Sequence, residues 1–376
     1  MFSESMKEAA IITIHFGTNH GSVLQAYALS NYLESIGCRA KIIDYVPERY
    51  TIWKSLVLRK GKQYKLPVLL AYYPIAVMKS WRVRRLFAQF VKHNLNLTRR
   101  YSHKEELGQL PPKADIYISG SDQVWNNDYN GNSEYSYFLD FVPDNAKRIA
   151  YAASFGKEKV NETDFLSKIK PLLQRFDVIS VRETDAQRIL EEMEISATYV
   201  VDPVFLLSKQ QWVGFGTETV KTEPYTLVYV MDGVYGELVD YAQKIKEQTG
   251  NKIYVVSFSK IKDERIDRCF HMANPKDFVG LLSDADAVVT NSFHGTAFSV
   301  LFQKSFITIG KKNYNSRMVN LLQQLSLSKH FIPTGANYGL EKIQNAMERQ
   351  NVEQTEKKLQ EWIAESKGFI QAALKM

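Results

Sequence analysis

Apolar and polar positions alternate along this chain with two different periods. Residues 9–15 form a short, β-branched apolar run, which predicts a buried strand. A turn with Gly17, Asn19 and Gly21 follows. Val23, Leu24, Tyr27, Ala28, Tyr32, Leu33 and Ile36 then recur at helical spacing, and Gly37 caps the helix. Residues 41–45 predict the next strand. Strand, turn, helix and strand make a βαβ unit, the mark of a parallel sheet. After an interruption the pattern resumes with strands at 114–119, 148–154, 178–181 and 198–201, and helices at 164–176 and 183–193. A second set predicts strands at 227–231, 252–258, 287–290 and 306–309. Its helices lie at 235–249, 277–283 and 295–302. An amphipathic, charged helix with one break follows Glu341.

Two successive α/β sets in 376 residues are too much for one ordinary core. The expectation is an α/β fold of two Rossmann-like lobes facing a cleft. Residues 1–210 make the first lobe, 211–340 the second and 341–376 a C-terminal helix.

The interruption is the segment 49–104. It holds 14 Lys or Arg and no Asp or Glu, so with +7 on the whole chain the remainder carries a net −7. Trp53, Tyr72, Tyr73, Trp81, Phe87 and Phe90 are interleaved with those cations. This reads as a mainly helical insert whose basic face meets either solvent or an anionic surface such as a membrane. No nucleic-acid module is recognisable. The longest apolar run, residues 66–78, is interrupted by Pro67 and Pro74 and is too short to span a bilayer. Acidic residues stand where a signal peptide would be basic, which predicts a cytoplasmic protein. Cys38 and Cys269 have no CxxC or Cys/His neighbours, so two reduced core cysteines are expected and a structural zinc site is not.

Four strand-to-helix turns carry candidate chemistry. Asn19-His20-Gly21-Ser22 would open a helix with its N–H groups free for a ligand, or form a simple tight turn. Ser121-Asp122-Gln123-Val124-Trp125 follows a strand; Ser121 or Asp122 could cap, and Trp125 suggests a pocket or a lobe interface. Arg182 leaves a strand and could grip a carboxylate or phosphate, or pair with Glu183 or Asp185. Thr290-Asn291-Ser292-Phe293-His294-Gly295-Thr296 places a switchable imidazole and two hydroxyls at a helix start. GxSxG, HExxH and P-loop motifs are absent, so serine-hydrolase, metallopeptidase and P-loop kinase chemistry lack their parts.

In order along the chain, the turn from Gly17 to Leu29, the loop from Gly120 to Asn126, Arg182, Asp202-Pro203 and Ser292-Phe293-His294-Gly295 resemble the polysaccharide pyruvyltransferase family. The resemblance covers about residues 10–325. It implies a GT-B-like fold and transfer of a carboxyvinyl-derived group from phosphoenolpyruvate to a sugar of a cell-surface polysaccharide precursor, forming a pyruvate ketal. It implies Arg182 and the His294-Gly295 turn, with Ser292 and Thr296, at the donor; the chemistry of that donor then suggests His294 as acid and Asp122 as base. Asn19, Gly21, Ser121, Gln123 and Trp125 would then line the acceptor side. Phosphoenolpyruvate and a free or lipid-linked glycan are the implied partners, nucleic acid is not, and no cofactor or metal is needed. The chain departs from the family at Ser292, where an Arg is usual; Lys304, Lys311, Lys312 or Arg317 would have to substitute. The alternatives are a nucleotide-sugar glycosyltransferase on the same fold and a non-catalytic scaffold that binds glycan or membrane.

Overall fold

The computed structural model describes residues 6–50, 66–218, 223–231, 235–258, 261–348 and 352–375. The first sheet holds seven strands in the order β3-β2-β1-β4-β5-β6-β7. They are β1 Glu8–Ile12, β2 Arg39–Tyr45, β3 Leu97–Tyr101, β4 Ile116–Ser119, β5 Lys147–Ala153, β6 Val178–Val181 and β7 Thr198–Tyr199. The second sheet holds six in the order β10-β9-β8-β11-β12-β13. These are β8 Tyr225–Tyr229, β9 Lys252–Val256, β10 Arg268–Phe270, β11 Ala287–Thr290, β12 Ser305–Ile309 and β13 Phe331–Ile332. Every pairing is parallel. Buried apolar strands connected by helices favour that arrangement, because both faces are covered.

Within each sheet the strand order reverses once, between β1 and β4 and between β8 and β11. Ligands of open α/β sheets bind beyond the carboxyl ends at such reversals. Register there is fixed: Ile12 pairs with Ser119, and Thr290 sits between Tyr229 and Thr308.

The helices are α1 His20–Ser35, α2 Leu66–Asn94, α3 Lys104–Gln109, α4 Asn127–Asn130, α5 Thr163–Leu173, α6 Thr184–Glu191 and α7 Lys209–Phe215 in the first part of the chain. The second part adds α8 Tyr235–Thr249, α9 Pro275–Asp284, α10 Phe293–Leu301, α11 Ser316–Gln324, α12 Leu340–Met347 and α13 Val352–Lys375. The tail break expected after Glu341 falls between α12 and α13. The latter reaches back over the first sheet: Trp362 Nε1 donates to Tyr199 O, Ser366 Oγ accepts from Val201 N, and Gln371 donates to Tyr32 Oη.

The basic insert differs from expectation in two ways. Its helix α2 runs for 29 residues through Pro67 and Pro74, and the insert ends in a strand, β3, at the sheet edge. Trp53 lies outside the described residues. Val83, Phe87, Phe90 and Val91 bury the inner face of α2, each worth on the order of 2 kcal/mol. Phe87 packs on His20 and Phe258, and Phe90 on Tyr27 and Phe215, so α2 contacts both halves of the chain. Met78, Trp81, Arg82, Arg85 and Lys92 face outward, with the Arg85 guanidinium over the Trp81 ring. No helix among the described residues is long and apolar enough to cross a membrane. Cys38 is a buried free thiol as expected. Cys269, also free, is only half-buried because it sits on the edge strand β10.

Candidate functional site

Four turns converge beyond the carboxyl ends of the two sheets. The first opens α1. Asn19 caps it, its Oδ1 accepting from Gly21 N (2.9 Å) and Ser22 N (3.4 Å). Gly21 abuts the second half of the molecule: a Cβ built on it would lie 1.9 Å from His294 Nδ1. The starts of α1 and α10, one from each sheet, therefore meet with almost no space between them. Their helix dipoles give the seam a positive potential, although the side chains of Asn19 and Ser292 already accept from first-turn N–H groups.

The second turn leaves β4. Asp122 has a left-handed backbone (φ 76°), a conformation that costs a non-glycine residue about 1 kcal/mol or more. Its Oδ2 accepts from Ser22 Oγ (2.5 Å), and its Oδ1 accepts from Gln123 N (2.8 Å) and Arg182 Nη2 (3.2 Å). Burial opposes its ionisation, but Arg182, His294 and the Ser22 hydrogen bond outweigh that and hold the carboxyl below its usual value. Asp122 is thus ionised near neutral pH. Ser121 Oγ donates to Asp202 Oδ2 (3.1 Å). Gln123 is half-buried, its Oε1 accepting from Asn126 Nδ2. Trp125 departs from expectation. It is buried in the core of the first sheet, stacked on Phe138, with its indole N–H donated to Tyr137 O. It lines neither a pocket nor the seam.

The third turn follows β6. Arg182 is fully buried, and its principal partners are not the neighbouring acids. Nη1 donates to Asp202 Oδ2 (2.7 Å) and Nη2 to Asp122; Glu183 Oε2 lies 3.9 Å from Nε. Burial alone would lower its pKa, but Asp202, Asp122 and Glu183 raise it. Asp202 also caps the short turn Pro203–Leu206 through Val204 N. Burial works against its charge, and His294 and Arg182 overcome it, so Asp202 stays a carboxylate. Glu183 contrasts with it. Its Oε1 accepts from Ser154 Oγ and Gly156 N, its Oε2 is buried without a hydrogen-bond partner, and burial pushes its pKa up.

The fourth turn leaves β11. Ser292 caps α10 by accepting from Gly295 N (3.4 Å). Thr296 is spent internally, donating to Ser292 O and bonding Thr308 Oγ1. A Cβ on Gly295 would clash with Thr290 Oγ1 at 2.4 Å, so this glycine permits close helix-to-strand packing. His294 is buried. Its Nε2 lies 3.7 Å from Asp202 Oδ2, within ion-pair range but too far for a hydrogen bond, and has no hydrogen-bond partner.

The structure brings Asn19, Gly21, Ser121, Asp122, Arg182 and His294 together. It also gives roles to three residues that the sequence named only as members of motifs. Ser22 holds Asp122, and Asp202 joins Arg182 to His294. His20 locks the two halves: Nε2 donates to Ala273 O (2.9 Å), Nδ1 is 3.1 Å from Tyr229 Oη, and the ring stacks on Phe258 and Phe278. An imidazole directly after a helix cap was its only sequence signal. Further out, Thr184 reaches Asn320, and Tyr314 reaches Asp128, across the same seam.

A cavity of about 380 Å³ lies elsewhere, near the amino end of β12 between α10 and α13. Of the residues named from the sequence only Lys304 lines it. Among the described residues no group of three or more His, Cys, Asp or Glu is arranged to hold a metal ion.

A family model described as polysaccharide pyruvyl transferase matches residues 19–313. No curated protein matches the chain. Among solved structures, UDP-N-acetylglucosamine 2-epimerase from Rickettsia bellii is similar at 9% identity and a TM-score of 0.53, over 98% of this chain and 96% of that one. UDP-GlcNAc 2-epimerase from Neisseria meningitidis, bound to UDP-GlcNAc, is similar at 10% identity and a TM-score of 0.50, over 98% and 99%. At that identity the likeness is one of fold, and the fold is GT-B.

Proposed function

The chain belongs to the polysaccharide pyruvyl transferase family, and on that premise we propose that it moves a pyruvyl group from phosphoenolpyruvate to a glycan, forming a ketal. One observation carries this reading. Arg182 Nε and His294 Nε2 are buried nitrogens without hydrogen-bond partners, at a seam where two helix N-termini meet. Buried polar groups are normally satisfied, so two nitrogens without hydrogen-bond partners beside two helix starts favour a ligand acceptor that binds there.

The chemistry follows from the donor. Phosphoenolpyruvate carries a methylene, an enol phosphate and a carboxylate. A proton delivered to the methylene carbon makes a methyl group and an oxocarbenium-like centre at C2. One sugar hydroxyl adds to C2 and the C–O bond to phosphate breaks. A second hydroxyl of the same sugar closes the ketal, and its proton leaves with phosphate. His294 supplies the first proton. Asp122, ionised and fixed by Ser22, accepts one from the attacking hydroxyl. Arg182 orients Asp122 and Asp202 through its Nη atoms and offers Nε to the donor. The scheme uses no cofactor or metal. The tight seam keeps water from capturing the cation.

The acceptor is a free or lipid-linked glycan of the cell envelope. The outward stripe of Trp81, Arg82, Arg85 and Lys92 on α2 supports contact with an anionic membrane face, and a cytoplasmic enzyme working at that face fits the charge distribution. The test is phosphate release from phosphoenolpyruvate by purified protein with candidate glycans. Wild type is expected to turn over, and His294→Ala to lose about 10²–10⁴-fold in kcat. Turnover by no glycan, together with unchanged phosphoenolpyruvate binding in His294→Ala, sinks the reading.

The GT-B fold favours one second reading, a nucleotide-sugar glycosyltransferase. A rise in Tm with UDP or GDP but not with phosphoenolpyruvate would select it. A scaffold would bind vesicles or glycan and turn over nothing.

A further inference from the structure

Ser292 lacks the cation that the resembling turn usually carries, and four residues could replace it. Lys304 and Lys312 are poorly placed. Lys304 Nζ donates to Ser283 O near the amino end of β12, away from the seam. Lys312 is exposed, and Lys311 precedes it in the same loop, its N–H donated to Asn315 Oδ1. Arg317, the second residue of α11, is turned inward. Its guanidinium lies over the Phe293 ring, 5.6 Å from the centroid, while the Arg182 guanidinium lies over the same ring at 4.9 Å. Phe293 immediately precedes His294. The Nε atoms of both arginines are buried without a hydrogen-bond partner.

Two guanidiniums held against one ring repel each other. Burial, and then the charge of Arg182, pull the Arg317 pKa down. The nearby carboxylate of Asp122 is occupied by Ser22, Gln123 N and Arg182, and that of Glu183 by Ser154 and Gly156 on one oxygen. Arg182 already has Asp202 and Asp122 on its Nη atoms, whereas Arg317 Nε has no hydrogen-bond partner, so Arg317 is the guanidinium left to meet an anion that is not part of the protein. A dianion with two separated charged groups could meet the Arg317 fork and the open Nε of Arg182 at once.

We propose that Arg317 is the second cation of the donor site, gripping the phosphate or carboxylate of phosphoenolpyruvate in place of the residue missing at Ser292. The proposal rests on the phosphoenolpyruvate reading. Its site is assembled from both sheets, with Arg182 after β6 and Arg317 after β12, so the donor itself would tie the halves together.

The test is calorimetric titration of full-length wild type, Arg317→Met and Arg317→Lys with phosphoenolpyruvate, inorganic phosphate and UDP. The Met variant is expected to bind phosphoenolpyruvate and phosphate roughly ten- to a hundredfold more weakly, with its Tm within a few degrees of wild type. The Lys variant should fall between, since it keeps the charge but loses the planar fork. A folded Met variant with wild-type affinity for phosphoenolpyruvate overturns the proposal. Should that variant not fold, the Lys variant decides: a Kd raised severalfold supports the proposal, and a wild-type Kd overturns it. If wild type binds only UDP and the Met variant weakens that binding, Arg317 stands as an anion grip and the phosphoenolpyruvate reading falls.

Discussion

Acid should loosen the contact between the two halves through one residue, His20. Its ring is fully buried between Phe258 and Phe278, and burial lowers its pKa to about 4, against an ordinary value of 6.5. The fold therefore keeps His20 neutral down to about pH 4, whereas the unfolded chain protonates it near 6.5. Between those values the unfolded state binds more protons, so stability falls as pH falls. At pH 7.5 the penalty is close to zero. At pH 5 it is about 2 kcal/mol, and below pH 4 it levels off at ~3 kcal/mol. Other groups titrate in this range, so the measurement must isolate His20. Urea unfolding of wild type and His20→Gln at pH 7.5 and pH 5 does this. The Gln variant loses ring packing and starts less stable, by about 1–3 kcal/mol. Its further loss on going to pH 5 should be smaller than that of wild type by about 2 kcal/mol. Parallel losses in the two proteins would refute the reasoning, because they would mean that His20 is protonated equally in both states.

Other substitutions test the seam and the surface. Gly21→Ala puts a methyl into the space of His294 Nδ1, so His294 must move. Phosphate-release assays should show kcat down by about a hundredfold with secondary structure intact, and full activity would mean the seam is looser than described. Arg82→Glu with Arg85→Glu removes two outward cations from α2. Sedimentation with vesicles rich in phosphatidylglycerol should weaken by about thirtyfold or more at low salt. Equal binding by wild type and the double variant would rule out this face as the contact.

The core strands were readable because they are continuous apolar runs. Expected and observed bounds coincide for Val178–Val181, Ala287–Thr290 and the helix Tyr235–Thr249. The strands that escaped notice, Leu97–Tyr101, Arg268–Phe270 and Phe331–Ile332, lie at sheet edges, and the first two carry Arg. An edge strand needs neither alternation nor apolar density. The site was legible as a set of turns, but its wiring was not. For Arg182 the sequence offered an external anion or the acids Glu183 and Asp185; its hydrogen bonds go to acids 20 and 60 residues away, which share its sheet edge only once strand order is known. Trp125 suggested a pocket or a lobe interface because it is an indole just after a strand end, yet its N–H needs a partner wherever it is buried. The backbone of Tyr137 met that need inside the core, where no sequence pattern marks it.

The return of α13 over the first sheet has a consequence for how the protein is made. Residues 352–375 leave the ribosome after the whole second sheet, yet Trp362, Ser366 and Gln371 complete the surface of the first. Lys7 Nζ donates to Leu374 O, a contact spanning 367 positions. The half that emerges first thus waits, partly uncovered, for the half that emerges second. The first sheet can therefore reach its final packing only after α13 has emerged, and that last contact is a long-range one. Such a chain should lean on chaperones while its early half waits.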